Sequence, residues 1–241
     1  MADHFPNVKL IHVRAACEDC SVRRLCLPVS LDGDALTLMD RLVQTRNPLK
    51  KGEHLYHAGQ EFKSLFAVKA GAIKTYGLTA DGREQITGFH LAGELVGMDA
   101  IDATVHPCSA VALESTEVCE LPFDRLEKAQ QELPVLQHEL ARIMSREILR
   151  EQHMLMLLGS TSAEQRLARF LLNMSERMQA RGGASNEVRL CMTRQDVGNY
   201  LGLALETVSR QLAHLQDSGA ISIQNKVITL LDAGQLQKIA S

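Results

Sequence analysis

The stretch TRQDVGNYLGLALETVSRQLAHLQDS, Thr193–Ser218, decides how this chain is read. Thr193 followed three residues later by Asp196 is a capping-box pattern, in which each side chain satisfies a backbone N–H of the other at a helix start. It opens a first helix over Arg194–Leu201. Gly202 then permits a tight turn, and a second helix runs from Leu205 to Asp217, with Gly219 placed to stop it. Val197, Leu201, Val208, Leu212 and Leu215 recur at helical spacing and pack the two helices together. That packing turns Glu206, Ser209 and Arg210 outward at i, i+3 and i+4. Arginine donates two bonds to guanine O6 and N7, glutamate accepts from cytosine N4, and serine adapts to several base edges. Beyond Gly219, Ile221–Ile223 and Val227–Leu230 flank Gln224-Asn225-Lys226 as a hairpin wing, whose lysine can meet phosphate. A winged helix-turn-helix for double-stranded DNA is therefore expected.

With these residues in place, the string from Met192-Thr193-Arg194 through Gly198-Asn199-Tyr200-Leu201-Gly202-Leu203 to Glu206-Thr207-Val208-Ser209-Arg210 resembles the recognition segment of one family. That family is the FNR branch of the cyclic AMP receptor protein (CRP/FNR) regulators of bacterial transcription. The resemblance implies a homodimeric transcription activator whose Glu206, Ser209 and Arg210 read a TTGAT-type half-site repeated as an inverted pair. It also implies contact with RNA polymerase through surface loops, including the Thr79–Arg83 turn.

Upstream, six cysteines occur: Cys17, Cys20, Cys26, Cys108, Cys119 and Cys191. The first three form C-x2-C-x5-C, close enough for several thiolates to reach one centre. Zinc sites usually pair two C-x2-C knuckles, and a second knuckle is missing. Three clustered cysteines plus a distant one suit a [4Fe–4S] cube, while zinc and free thiols remain open from spacing alone. Residue pattern does not choose among Cys108, Cys119 and Cys191 for the fourth position. The resemblance does: Glu117-Val118-Cys119-Glu120-Leu121-Pro122 is similar to the family segment carrying the remote ligand, which implies Cys17, Cys20, Cys26 and Cys119 as cluster ligands and oxygen as the stimulus.

Between Pro48 and Pro122 short apolar runs such as Leu65–Val68, Ile73–Tyr76 and Ala110–Leu113 alternate with glycines, and Asp81-Gly82 reads as a hairpin turn. The pattern predicts a small antiparallel barrel or sandwich. Glu84–Leu95 is similar to the family's cyclic-nucleotide-binding cassette, with Gly93-Glu94-Leu95 like its ribose-binding turn. No arginine lies between Gly93 and Pro122 to meet a phosphate, and a buried phosphate without a cation is costly. No cyclic nucleotide is expected, and the cassette reads as scaffold.

A long helix follows Pro134 to about Leu158. Ala141, Met144, Ile148, Leu155 and Leu158 lie at alternating spacings of three and four, with Glu151 in the seam between them. Leu140, Ile143, Met154 and Leu157 form an adjacent face suited to the chain's own barrel. In a symmetric parallel pair the two Glu151 side chains oppose each other, which makes association marginal. Gly159–Ser162 then breaks the helix and caps another, Ala163–Arg181. The expected organisation is α+β: a cysteine-rich segment over 1–30, a cyclic-nucleotide-binding-like antiparallel β-barrel over 31–133, a dimerisation helix over 134–158, and a C-terminal winged helix-turn-helix over 159–241.

The net charge is −3 over 241 residues, yet from Gly159 to Ser241 nine Lys/Arg stand against seven Asp/Glu, a weak asymmetry in the direction a DNA-binding unit needs. No apolar run approaches a membrane span, and Met1–Lys9 has no signal-peptide pattern, so a cytoplasmic protein without membrane contact is expected. There, disulfides are disfavoured. No P-loop or catalytic triad occurs, and His4, His12, His54, His57 and His90 are scattered, which argues against an enzyme. An iron–sulfur electron carrier would have no need of the wing and paired helices.

Overall fold

The computed structural model describes residues 17–26, 31–160, 162–184 and 186–241. The expectations for Met1–Lys9, His4 and His12 lie outside these residues, as does most of the 1–30 segment. A helix α1 (Gly33–Leu42) leads into eight strands: β1 (Gln44–Thr45), β2 (His54–Tyr56), β3 (Ser64–Ala70), β4 (Ala72–Leu78), β5 (Glu84–Leu91), β6 (Leu95–Val96), β7 (Ser109–Ala112) and β8 (Glu117–Pro122). They form two four-stranded antiparallel sheets, ordered β1-β8-β3-β6 and β2-β7-β4-β5. Tyr56, Phe66, Val68, Ile73, Val96 and Val118 fill the space between them. The Asp81-Gly82 turn joins β4 to β5 as the sequence predicts, with Gly82 at φ 78°.

Helix α2 (Phe123–Glu132) precedes the long helix α3 (Pro134–Ser160), which runs past the expected end at Leu158. Leu136, Leu140 and Ile143 bury against α1, α2 and the β3–β8 sheet, and Leu157 is buried at the other end. This is the face the spacing assigned to the chain's own core. Helix α4 (Ala163–Gln179) begins at Ser162, whose Oγ accepts from the Gln165 N–H at 3.2 Å while Gln165 Oε1 accepts from the Ser162 N–H.

The C-terminal unit contains β9 (Glu187–Arg189), α5 (Arg194–Leu201), α6 (Leu205–Asp217), β10 (Ile221–Gln224), β11 (Val227–Leu230) and α7 (Ala233–Ala240). Both helices of the turn have the extents read from sequence. The wing carries a third strand, β9, paired to β11, which sequence reading did not foresee. One apolar cluster runs from Ile86, Phe89 and Leu91 of β5 through Phe170, Leu171 and Met174 of α4 to Leu201, Val208 and Leu212. The DNA-binding unit is thus docked on the outer face of the β4–β5 hairpin. Lys74 Nζ of β4 donates to Asp196 Oδ1 at 2.8 Å, and Asn199 accepts from the Ile86 N–H at 2.6 Å while donating to the Glu84 carbonyl.

Candidate cysteine centre and nucleic-acid interface

The reading head is held by local geometry. Thr193 Oγ1 accepts from the Asp196 N–H, Asp196 Oδ2 accepts from the Thr193 N–H at 2.9 Å, and Gly202 closes α5 in the left-handed region at φ 63°. A Cβ-bearing residue is disfavoured at that φ, so glycine is what lets α6 start three residues later, at Leu205. Asp196 stays below the usual carboxylate range: burial raises its pKa, but the bonds from Lys74 and Thr193 prevail. Val208, Leu212 and Leu215 are buried against α5 and α4, which leaves Glu206 and Arg210 exposed and Ser209 half-buried on the opposite face. The wing turns at Asn225 (φ 56°) and Lys226, and exposes that lysine.

The cysteines divide into two classes. Cys17, Cys20, Cys26 and Cys119 line one recess, floored by Ala67, Val68 and Leu121 and walled by Met39 and Val43, with Arg23 and Lys69 at its edge. Backbone turns shape the segment that closes it: the Arg23 N–H donates to Cys20 O at 3.0 Å, and the N–H groups of Leu25 and Cys26 donate to Val22 O. The Cys17 N–H donates to Asp40 Oδ1 of α1 at 2.6 Å, tying the segment to the fold. Cys119 reaches the recess because β8 pairs with β3, Ala67 opposite Cys119.

Burial raises the pKa of both Cys17 and Cys119. Asp40 adds to the rise at Cys17, and Lys69 opposes it at Cys119. Lys69 itself is held by Glu117 at 3.1 Å. The other two cysteines lie elsewhere. Cys108 is buried between the sheets and donates to Asp99 Oδ2, its thiol raised by burial and by that carboxylate to about 12. Cys191 packs beside the DNA-binding core, its thiol raised by burial to about 11.

The donor set is four thiols around one recess with an apolar lining that includes Ala67, Val68 and Leu121. Thiols in that arrangement could cap the irons of a [4Fe–4S] cube, and thiol donors also suit zinc. Among the described residues, no group of three or more His, Cys, Asp or Glu side chains is placed to hold a single metal ion.

On α3, Ile148, Glu151 and Leu155 of the seam are exposed, as is Ala141, whereas Met144 and Leu158 are half-covered by their own chain. Leu149 and Met156, each one residue beyond a seam position, are also exposed, Met156 at 69% beside Leu155 at 70%. The apolar face is thus wider than the heptad reading gave, and strict counting by threes and fours missed its second edge.

In the cassette turn, Glu94 is mostly covered, its side chain 10% exposed, and arginines from outside the barrel reach it. Arg177 Nη2 and Arg181 Nη2 each donate to the carboxylate at 2.6 Å, and Arg150 Nη2 stands 3.7 Å away. Burial would raise the Glu94 pKa, but Arg177, then Arg181 and Arg150, overcome that and lower it to about 2. No arginine lies between Gly93 and Pro122 in sequence, but Arg150 of α3, Arg177 of α4 and Arg181, just past the end of α4, meet Glu94 in the fold.

Comparisons with known proteins agree with this architecture. The family models described as Crp-like helix-turn-helix domain and cyclic nucleotide-binding domain match residues 165–239 and 46–132. The transcriptional activator protein anr of Pseudomonas aeruginosa is 48% identical over 227 residues, 94% of this chain and 93% of that protein. The fumarate and nitrate reduction regulatory protein of Vibrio cholerae is 46% identical over 224 residues, 93% of this chain and 90% of its own. Among solved structures, that of FixK2 from Bradyrhizobium japonicum aligns with a TM-score of 0.75 at 31% identity, covering 82% of this chain and 98% of that one.

Proposed function

The chain belongs to the CRP/FNR family of transcription regulators and is not an enzyme, and from that premise we propose that it is an oxygen-responsive dimeric regulator. It binds a TTGAT-type inverted repeat while a [4Fe–4S] cluster held by Cys17, Cys20, Cys26 and Cys119 is intact, and loses dimerisation and DNA binding when the cluster is oxidised. The observation that carries this reading is the meeting of cysteines from two distant stretches in one recess, on a chain that ends in a docked helix-turn-helix. The cluster, when bound, supplies a redox centre labile to oxygen.

Everything else falls to the chain's own residues. The four thiols surrender their protons on ligation, which offsets the burial that otherwise keeps Cys17 and Cys119 protonated. Lys69 and Arg23 place positive charge at the recess edge. Closing the Cys17–Cys26 segment over β3 and β8 fixes its position relative to α1 through the Cys17–Asp40 bond. Ile148, Leu155 and the adjoining Leu149 and Met156 supply the apolar area for pairing two α3 helices, and Glu151, exposed between them, opposes it. Pairing sets two α6 helices about one DNA turn apart, so specific affinity depends on it. Glu206, Ser209 and Arg210 read the bases, with Lys226 on phosphate. No cyclic nucleotide is required: the carboxylate that would take a ribose is held by Arg177 and Arg181. Contact with RNA polymerase through the exposed Thr79–Arg83 turn belongs to the same reading.

Anaerobic purification followed by absorbance, sedimentation and DNA-binding measurements, repeated after exposure to air, tests it. A brown dimer that bleaches to a weakly binding monomer is the expected result. A colourless protein, or mass and affinity that do not change as the colour bleaches, overturns it.

A further inference from the structure

We propose that the Gly93–Glu94 turn is a positioning element that carries the state of the cysteine segment to both the dimer helix and the DNA-binding unit. The inference rests on the oxygen-sensing reading above and names the route by which that site acts.

The turn touches both ends of the route. On one side, Gly93 adopts φ 88°, and a Cβ there would lie 2.6 Å from the Cβ of Leu25, so the residue before Cys26 sits directly on the glycine. The turn is also stapled to the strand flooring the cysteine recess. The Gly93 N–H donates to Val68 O at 2.7 Å, and the Val68 N–H donates to Glu94 O at 2.9 Å. Val68 and the adjacent Lys69 line that recess. A movement of Cys26 therefore bears on Gly93 both from above and through its floor.

On the other side, Glu94 is the junction of three elements. Its Oε2 accepts from the Leu91 N–H at 2.9 Å, which orients the carboxylate, and from Arg177 Nη2. Its Oε1 accepts from Arg181 Nη2 and from Arg177 Nε at 3.0 Å. Arg150 reaches it from α3 while also holding Glu147. Arg177 of α4 and Arg181, just past its end, each take a barrel carbonyl as well, Arg177 that of Phe89 and Arg181 that of Ala92, both at 2.5 Å. A single carboxylate thus sets α3 and α4 relative to the barrel. Coupling between distant sites requires an element that both contact and whose arrangement both bias; this turn is contacted by the cysteine segment and by both effector helices. With Leu25 in place, Leu25 forms part of the wall of a cavity of about 230 Å³ that the Glu94 carboxylate and its three arginines also line. When the segment lifts, that cavity opens further to water, the pairs are screened more strongly, and α3 and α4 lose a common anchor.

Full-length Glu94→Gln and Arg181→Gln, prepared anaerobically beside the parent, test this. Cluster absorbance, thermal melting and affinity for a duplex carrying a TTGAT inverted repeat are measured before and after air. Both variants are expected to keep the parental absorbance, while the ratio of anaerobic to aerobic affinity falls about tenfold, within the range of ordinary coupling. Arg181→Gln carries the test if Glu94→Gln does not fold. A variant whose melting temperature falls but whose affinity ratio stays parental shows a merely structural ion pair and overturns the proposal. Loss of cluster absorbance in both variants overturns it too, because the turn would then be part of the cluster's seat. Failure of the sensing reading shows separately, as a colourless parent before any variant is made.

Discussion

The helix-turn-helix and the cysteine segment hold their functional residues by different means. In Thr193–Asp217 each restraint lies within a few residues or one helix away: a reciprocal cap at Thr193 and Asp196, a left-handed glycine at 202, and a continuous buried face through Val197, Leu201, Val208 and Leu212. Cys17–Cys26 is held by a few backbone turns, the Cys17 bond to Asp40, a 2.6 Å bond from Arg23 Nη2 to Leu31 O, and Leu25 resting on Gly93, among other contacts. Its own buried apolar contribution is small. A reading head that must present Glu206 and Arg210 in fixed register gains from such over-determination. On the proposed function, a segment that moves on losing its ligand would need a closed form held mainly by that ligand, as expected of elements drawn from the low-stability end of a structure.

The contrast breaks most sharply at Cys119. If the recess depends on its ligand and the reading head does not, Cys119→Ser abolishes the cluster absorbance and drops specific DNA affinity toward the non-specific level, about a thousandfold. Far-ultraviolet circular dichroism stays unchanged. A C119S protein that remains brown and oxygen-labile removes Cys119 from the ligand set. The opposite lesion is Leu212→Ala, a cavity under the recognition helix in a side chain only 3% exposed. Its expected cost is about 2–5 kcal/mol in denaturant unfolding, the same with and without air, and with the cluster spectrum intact. An oxygen-dependent loss would mean that the two regions share stability. Arg210→Ala is smaller and sharper. It is expected to lose about 1–3 kcal/mol of binding, confined to one guanine of the half-site in a base-substitution series. A loss spread evenly over all sequences would make Arg210 a phosphate contact.

Legibility followed the same division. Caps, turn glycines and apolar spacing are local, so α5 and α6 could be bounded from Thr193, Gly202, Leu205 and Gly219 alone. Three of the recess cysteines were visible because they are neighbours in sequence. Cys119 entered by family resemblance, since its proximity depends on the β3–β8 register, which residue spacing does not encode. Glu94 shows the limit from the other direction. The sequence between Gly93 and Pro122 lacks an arginine for a phosphate; Arg150 of α3, Arg177 of α4 and Arg181 just past α4 come to Glu94 from stretches that sequence proximity does not bring together. Helices α1 and α2 escaped notice because short amphipathic stretches of about ten residues carry little periodic information, although α1 and the residue that ends it supply Met39, Asp40 and Val43 to the recess or its edge.

Glu151→Ala gives the smallest effect and the finest test of how the two regions communicate. Glu151 lies exposed between Ile148 and Leu155, on a face whose apolar residues reach 53% and 70% exposure in the single chain. In the proposed dimer two such faces would meet, and paired carboxylates at the seam would cost about 1 kcal/mol, at the low end of the range for partly desolvated like charges. On the proposed function, that margin would let a displaced cysteine segment decide between monomer and dimer. Removing the carboxylate should raise the dimer fraction in air about fivefold by sedimentation and narrow the anaerobic-to-aerobic difference without touching cluster absorbance. Added salt should shift the parent in the same direction and leave the variant nearly unchanged, because only the parent has a repulsion to screen. If parent and variant respond alike to salt, the opposition to pairing lies elsewhere on α3, and the wider face that includes Leu149 and Met156 becomes the place to look.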